Sequence, residues 1–151
     1  MIIPINLGEA SYDITLERGA IKRAAEIFGI NGKVLVVTDS GVPEKYAQTV
    51  ASQFENSCIF TFPQGEKSKN FDTYKSICKA LLDNNFTRND AVIAVGGGVA
   101  GDMSGFAAAT YMRGISFYNI PTTVLSQVDS SIGGKTAIDF CGVKNKKQTL
   151  T

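Results

Sequence analysis

The chain has 151 residues, 44% hydrophobic and 19% charged, which is the size and composition of a folded domain with a sizeable core and excludes a disordered segment. Fifteen Lys and Arg against 14 Asp and Glu leave a net charge of +1, so there is no broad electrostatic case for nucleic acid or an anionic membrane surface. No apolar run approaches the ~20 residues that cross a bilayer, Met1–Asn6 lacks the basic-then-apolar pattern of a signal peptide, and Cys58, Cys78 and Cys141 are too scattered to suggest a metal site, so a reduced, cytoplasmic setting is expected.

Ile2–Leu7 and Tyr12–Leu16 read as short strands around the turn Gly8-Glu9-Ala10. Ile21, Ala24, Ala25 and Phe28 predict a helix over Ala20–Phe28, with Gly29 as its stop. Val34–Val37 is a continuous apolar run, as in a strand buried on both faces. The turn Thr38-Asp39-Ser40-Gly41 follows, and Pro43 opens a helix to about Phe54. Cys58–Phe62 is the next strand, and Pro63–Lys69 is a polar loop. Asn70 is placed to cap a helix with Tyr74, Ile77, Cys78, Leu81 and Leu82 on its apolar face. Strand Ala91–Val95, the run Gly96-Gly97-Gly98-Val99-Ala100-Gly101-Asp102, a helix to about Tyr111 and strand Phe117–Ile120 complete the series. Strands alternating with helices predict a Rossmann-like α/β layered domain with a mostly parallel sheet. On such a sheet ligands lie beyond the carboxyl ends of the strands. That edge carries Asp39, the Gln64–Lys69 loop, Gly96–Asp102 and Pro121-Thr122-Thr123.

The glycine run follows a strand and opens a helix, so its unpaired backbone N–H groups and the helix dipole suit a phosphate. Glycine there permits positive φ and close approach of a ligand. Gly96, Gly98 and Gly101 fit G-x-G-x-x-G, although such turns also serve packing. Asp102 would be repelled by a phosphate, so it faces the ribose or nicotinamide end of a dinucleotide or caps the helix. Asp39 suits a ribose diol, with a helix cap or turn residue as the alternative. Glu66, Lys67 and Lys69 form either a solvated charged loop or a clamp on sugar and phosphate groups. Gly133-Gly134-Lys135 projects an ammonium that can hold a phosphate or carboxylate, but it is not a Walker A loop. Asp129, six residues earlier, is placed to share a cavity with Lys135 or to serve as a buried ion-pair partner. Arg113 is a further anion-binding candidate, or a surface charge. Histidine is absent, which removes the commonest general base and zinc ligand.

Together, Gly-Gly-Gly-Val-Ala-Gly-Asp, Ala109–Gly114, Pro121-Thr122-Thr123, Gln127–Gly134, Lys135-Thr136 and Lys144-Asn145 closely resemble the 3-dehydroquinate synthase family, and Pro63–Lys69 resembles its cofactor loop. The resemblance implies an NAD-binding domain over residues 1–145. Residues 146–151 would be an atypical tail replacing the start of the family's α-helical C-terminal domain. It implies NAD contacts at Asp39, Gln64, Gly65, Glu66, Lys67, Ser68, Lys69, Gly97, Gly98, Val99, Ala100, Gly101, Asp102, Thr122 and Thr123, with Lys135 and Lys144 near cofactor and substrate. Asp129, Lys135 and Asn145 match substrate-site positions, and Arg113 matches a residue that contacts substrate phosphate in a neighbouring subunit's site.

The implied reaction belongs to the shikimate pathway, toward chorismate and the aromatic amino acids. This lyase converts 3-deoxy-D-arabino-heptulosonate 7-phosphate to 3-dehydroquinate and phosphate with catalytic NAD. The resemblance also implies a cytoplasmic homodimer and a divalent metal, zinc or cobalt. The metal is held by one Glu and two His of the C-terminal domain, which are not in this chain, so the 151 residues alone are expected to be inactive. One departure is Gly41, where the family usually has Asn. Two other readings are a non-catalytic nucleotide-binding module and a relative of metal-dependent polyol dehydrogenases such as glycerol dehydrogenase. The latter share the glycine turn and a Pro-Thr-Thr-like segment but not Gln127–Lys135.

Overall fold

A computed structural model describes residues 1–128 with their side chains, and residues 129–130, 135–140 and 143–149 by backbone alone. β1 (Ile2–Ile5) pairs antiparallel with β2 (Tyr12–Thr15). The first strand stops short of the expected Leu7, because Gly8–Ala10 winds into a 3-10 turn. The helix expected from Ala20 begins as a 3-10 turn over Ala20–Arg23 and becomes α-helical only in α1 (Ala24–Phe28). Gly29 ends it as expected: at φ 62° it donates its N–H to the Ala25 carbonyl at 3.0 Å.

The central sheet is parallel, in the order β4-β3-β5-β6. Its strands are β3 (Val34–Asp39), β4 (Ser57–Phe62), β5 (Ala91–Gly96) and β6 (Ser116–Pro121). All six residues of β3 and of β5 are buried, as continuous apolar strands covered on both faces require. Strand alternation divides them between two cores. Leu35, Val37 and Val92 pack with Ile77 and Leu81 of α3 (Phe71–Asp83) and Met103 and Ala107 of α4 (Gly98–Thr110). Val34, Val36, Ile93 and Val95 pack on the other face with Ala24, and with Ala47 and Val50 of α2 (Glu44–Ala51). Each fully buried Val, Leu or Ile contributes about 1.5–3 kcal/mol.

Pro43 stands at the N-terminal boundary of α2 without a side-chain cap, whereas the Asn70 side chain accepts the Thr73 N–H at 2.9 Å to cap α3. Leu82 departs from expectation. It is 62% exposed, because α3 turns Ile77 and Leu81 inward and leaves Leu82 off that stripe. α4 is built from small residues, and its buried Ala100, Gly101, Gly105, Ala107 and Ala108 bring it close to the sheet.

At the amino end of the sheet Asp90 is a buried hub. Its Oδ1 accepts the Lys33 N–H at 2.8 Å and its Oδ2 the Thr87 N–H at 2.6 Å. A Cβ at Gly32 would stand 2.5 Å from the Asn89 carbonyl oxygen and 2.6 Å from Asp90 Oδ1, so only glycine fits there. Past β6 the chain makes a π-helical turn over Ser126–Ser130. β7 (Lys135–Phe140) and β8 (Val143–Thr149) then pair antiparallel, in a hairpin that periodicity did not predict. Among the described residues no helix is long and apolar enough to cross a membrane.

Candidate functional site

The strand order sets the location of the site. From β3 the chain passes to β4 on one side, then crosses back to β5 on the other. The loops leaving β3 and β5 therefore diverge, and a crevice opens between Asp39 and Gly96 at the carboxyl edge.

Asp39 is 9% exposed. Its Oδ1 accepts the Gly41 N–H at 2.8 Å, and its backbone carbonyl accepts the Val42 N–H at 3.1 Å. Its Oδ2 lies 3.6 Å from the point where a Gly96 Cβ would stand. One carboxylate oxygen thus holds the turn and the other faces the glycine run, so the two readings of Asp39 are compatible.

The glycines serve space and not handedness. None of Gly96, Gly97 and Gly98 has positive φ, contrary to the sequence expectation. A Cβ on Gly96 would meet the Ala100 Cβ at 2.8 Å. Gly97, extended at φ −84° and ψ −160°, caps α4, and the Gly101 N–H to Gly97 carbonyl bond is 3.1 Å. Amides of the turn before Gly101 lack carbonyl partners within the helix by its geometry, and they sit at the positive end of its dipole. A Cβ at Gly101 would lie 3.2 Å from Asn119 Nδ2, so this glycine admits the β6 side chain.

The Pro63–Lys69 loop is partly buried. Glu66 and Lys67 are exposed, but Ser68 is 7% and Lys69 5% exposed. Lys69 Nζ lies 2.8 Å from Asp102 Oδ2. Neither sequence reading of this loop anticipated that ion pair. Asp102 is the fifth residue of α4, beyond the first turn, so the capping reading is corrected. The loop is also anchored to the β3 turn: the Ser40 N–H donates to the Phe62 carbonyl at 2.9 Å, and the Gln64 N–H donates to Ser40 Oγ at 2.9 Å. Gly65, at φ 108°, makes the bend. The Ser68 hydroxyl donates to the Pro63 carbonyl.

The third wall follows β6. The Thr122 N–H donates to the Gly96 carbonyl at 2.9 Å, and the Thr123 methyl lies 3.5 Å from the Gly97 Cβ position. Thr123 Oγ1 accepts the Ser126 N–H at 3.1 Å and lies 2.8 Å from Ser126 Oγ. Ser126 was not singled out from the sequence, although Thr-x-x-Ser is a capping spacing.

Asp39, Gln64–Lys69, Gly97–Asp102, Thr122 and Thr123 therefore converge on one edge. Arg113 does not. α4 runs 13 residues back along the sheet, about 20 Å, and Arg113 precedes Ser116, which pairs with Ala91 at the amino ends of β6 and β5. The Met112–Gly114 turn has three consecutive positive φ values, 47°, 66° and 113°. The side chains of Asp129, Lys135, Lys144 and Asn145 lie outside the described residues. Their backbones belong to the Ser126–Ser130 turn, β7 and β8. Among the described residues no three His, Cys, Asp or Glu side chains gather as metal ligands.

Titrating groups moved by burial lie elsewhere. Burial raises the Cys58 and Cys78 thiols and the Tyr74 and Tyr111 phenols above their ordinary values. These groups pack around the α3–α4 core.

A family model described as 3-dehydroquinate synthase N-terminal matches residues 59–149. A 3-dehydroquinate synthase of Streptococcus suis (strain 05ZYH33) is 43% identical over 158 aligned residues, covering 99% of this chain and 44% of the relative. The chain thus spans less than half the length of that curated relative. A crystal structure of 2-deoxy-scyllo-inosose synthase complexed with carbaglucose-6-phosphate, NAD+ and Co2+ matches with a TM-score of 0.88 at 25% identity, covering 97% of this chain and 42% of that one. The 2-epi-5-epi-valiolone synthase of Streptomyces hygroscopicus subsp. jinggangensis 5008, with NAD+ and Zn2+ bound, matches with a TM-score of 0.82 at 27% identity, covering 96% and 42%. With its parallel sheet and the convergent edge described above, the chain belongs to the 3-dehydroquinate synthase family.

Proposed function

We propose that these residues form the NAD-binding half of a 3-dehydroquinate synthase, a lyase acting on 3-deoxy-D-arabino-heptulosonate 7-phosphate. The observation that carries this reading is the convergence of Asp39, the glycine turn, the Lys69–Asp102 pair and Thr122-Thr123 on one crevice. The residues suit a dinucleotide. Gly96 and Gly97 leave a cradle that a Cβ would narrow, the first amides of α4 suit a pyrophosphate, and Asp39 Oδ2 suits a ribose hydroxyl. NAD, when bound, supplies a hydride acceptor for a secondary alcohol of the substrate and returns the hydride later in the same turnover.

In this reading the protein's residues bind and orient. Asp39 accepts a hydrogen bond from the ribose. The Gln64–Lys69 loop closes one side, held to α4 by Lys69 and Asp102. Thr122 and Thr123 line the other side. Asp129, Lys135 and Asn145 serve the substrate, and Lys135 and Lys144 serve near both cofactor and substrate. Arg113, about 20 Å away along α4, serves the substrate phosphate of a neighbouring copy, which implies a homodimer. Residues 1–145 make up the NAD-binding unit, in a cytoplasmic enzyme.

The described residues do not fit a catalytic metal, and the 151-residue chain contains no histidine. Zinc or cobalt belongs, in this reading, to the length of the relatives that these residues do not span, so the 151 residues bind NAD without turning over substrate. Titration calorimetry with NAD, together with a phosphate-release assay, tests both statements. Micromolar binding without phosphate release is the expected result. Failure to bind NAD overturns the cofactor assignment, and phosphate release overturns the predicted inactivity.

A further inference from the structure

The central pair of strands parts before its neighbours do. β3 is laddered to β4 as far as Asp39 and Phe62, and β5 to β6 as far as Gly96 and Pro121, but the ladder between β3 and β5 ends at Val37 and Ala94. The Gly96 carbonyl turns to the β6 side, where it accepts the Thr122 N–H at 2.9 Å. Carbonyls alternate sides along a strand, so the Val95 carbonyl turns toward β3. One step past the last laddered pair it accepts the Thr38 hydroxyl at 2.7 Å. Thr38 is 3% exposed and Val95 is fully buried, so this bond is not exchanged for one to bulk solvent. A side chain thus ties the two strands where they diverge. The next residue on β3 is Asp39 and the next on β5 is Gly96, and Asp39 Oδ2 lies 3.6 Å from the Gly96 Cβ position. The tie sits directly behind both walls of the crevice.

We propose that Thr38 is a positioning residue for the nucleotide. Its hydroxyl fixes how far β3 and β5 stand apart at the switch point, and so holds the Asp39 carboxylate at the distance from the glycine run that a ribose needs. Thr38 touches no ligand and acts through Asp39. The inference rests on the NAD reading above. A hydroxyl that merely satisfied a buried carbonyl would affect stability alone; a positioning hydroxyl also affects affinity, and only while the Asp39 carboxylate is present.

The test is calorimetry with NAD on the wild type, Thr38→Val, Thr38→Ser, Asp39→Ala and the Thr38→Val/Asp39→Ala double variant, each checked by its melting temperature. Thr38→Val keeps the shape and loses the hydroxyl. It melts about 4–8 °C below wild type and binds NAD about five- to tenfold more weakly. Thr38→Ser restores the bond and binds within about twofold of wild type. In the Asp39→Ala background Thr38→Val lowers the melting temperature by a similar amount but weakens NAD no further. Thr38→Ala, which adds no methyl to the core, repeats the comparison should valine pack badly. Wild-type affinity in a folded variant without the hydroxyl, or an equal further loss in the Asp39→Ala background, overturns the inference and leaves the NAD reading intact. A wild type that does not bind NAD overturns both.

Discussion

Replacing Asp102 with Asn removes one charge from the Lys69–Asp102 pair and almost nothing from its volume. Lys69 is 5% and Asp102 17% exposed, and the charged atoms lie 2.8 Å apart. At an effective dielectric of ~20, two unit charges at that distance attract by about 6 kcal/mol. Most of that attraction offsets the water both ions gave up. Removing one partner of a buried pair still costs about 3–5 kcal/mol, against ~0–1 for a surface pair. The residual exposure of Asp102 sets the expectation at the lower end, about 3 kcal/mol. For a chain of this size each kcal/mol moves the melting temperature by about 2–4 °C, so Asp102→Asn melts about 6–12 °C below wild type.

Circular dichroism melts of Asp102→Asn, Lys69→Met and the double variant measure this. The double variant is less destabilised than the sum of the singles, because it no longer buries an ammonium opposite a neutral group. One molar salt leaves the gap largely intact, since a buried pair is poorly screened. If Asp102→Asn melts within about 2 °C of wild type, the pair does not hold the loop to the helix and the reasoning fails.

Gly96→Ala drives a Cβ to 2.8 Å from the Ala100 Cβ and lowers stability by about 1–3 kcal/mol in a urea melt. Gly97→Ala meets the Thr123 side chain at ordinary contact distance, its methyl at 3.5 Å and its hydroxyl oxygen at 3.7 Å, so it melts near wild type, yet it loses about tenfold in NAD affinity by titration because the added methyl stands where the ligand approaches; unchanged affinity would place the ligand elsewhere. Stability falls as pH rises above about 8.5, the ordinary thiol value. Burial raises Cys58 and Cys78, and Tyr74 and Tyr111 above them, so the folded state retains protons that the unfolded state releases, and the slope of stability with pH is negative. Urea midpoints that are level from pH 7.5 to 10 would contradict this.

The central strands were legible because they bury both faces. Val34–Val37 and Ala91–Val95 are unbroken apolar runs of strand length, rich in Val and Ile and bounded by polar or glycine turns, as strands of a covered parallel sheet are. Asn70 was legible because capping is local, a side chain and an N–H three residues on. The site edge was legible through Asp39 and the glycine run, since strand-turn-helix order already places both beyond strand ends. The Lys69–Asp102 pair joins residues far apart in sequence, so a short charged loop gave no sign that its lysine is buried. Arg113 was read as an anion-binding candidate that serves a neighbouring subunit's site, and α4 carries it to the opposite end of the sheet from Asp39. Val143–Thr149 reads Val-Lys-Asn-Lys-Lys-Gln-Thr, with no apolar alternation to announce a strand.

The two ends of the sheet treat their polar groups differently, and that contrast locates the site more firmly than any one residue does. At the amino end Asp90 accepts from the Lys33 and Thr87 amides and the Thr87 hydroxyl, while Lys33 Nζ donates to the Asn84 and Asn85 carbonyls. That carboxylate is used up in holding the chain together, and the fit at Gly32 leaves no room for anything else. At the carboxyl end only half of the Asp39 carboxylate is used by its turn, the Gln64 amide bonds nothing among the described residues, and the first turn of α4 presents amides that its helix does not consume. Gln64 is exposed and Asp39 Oδ2 is not closed off in the interior, so both groups stay open to a ligand that displaces water. Their clustering at the switch point suits a polar ligand, and the carboxylate, amides and glycine gap fit the nucleotide proposed above.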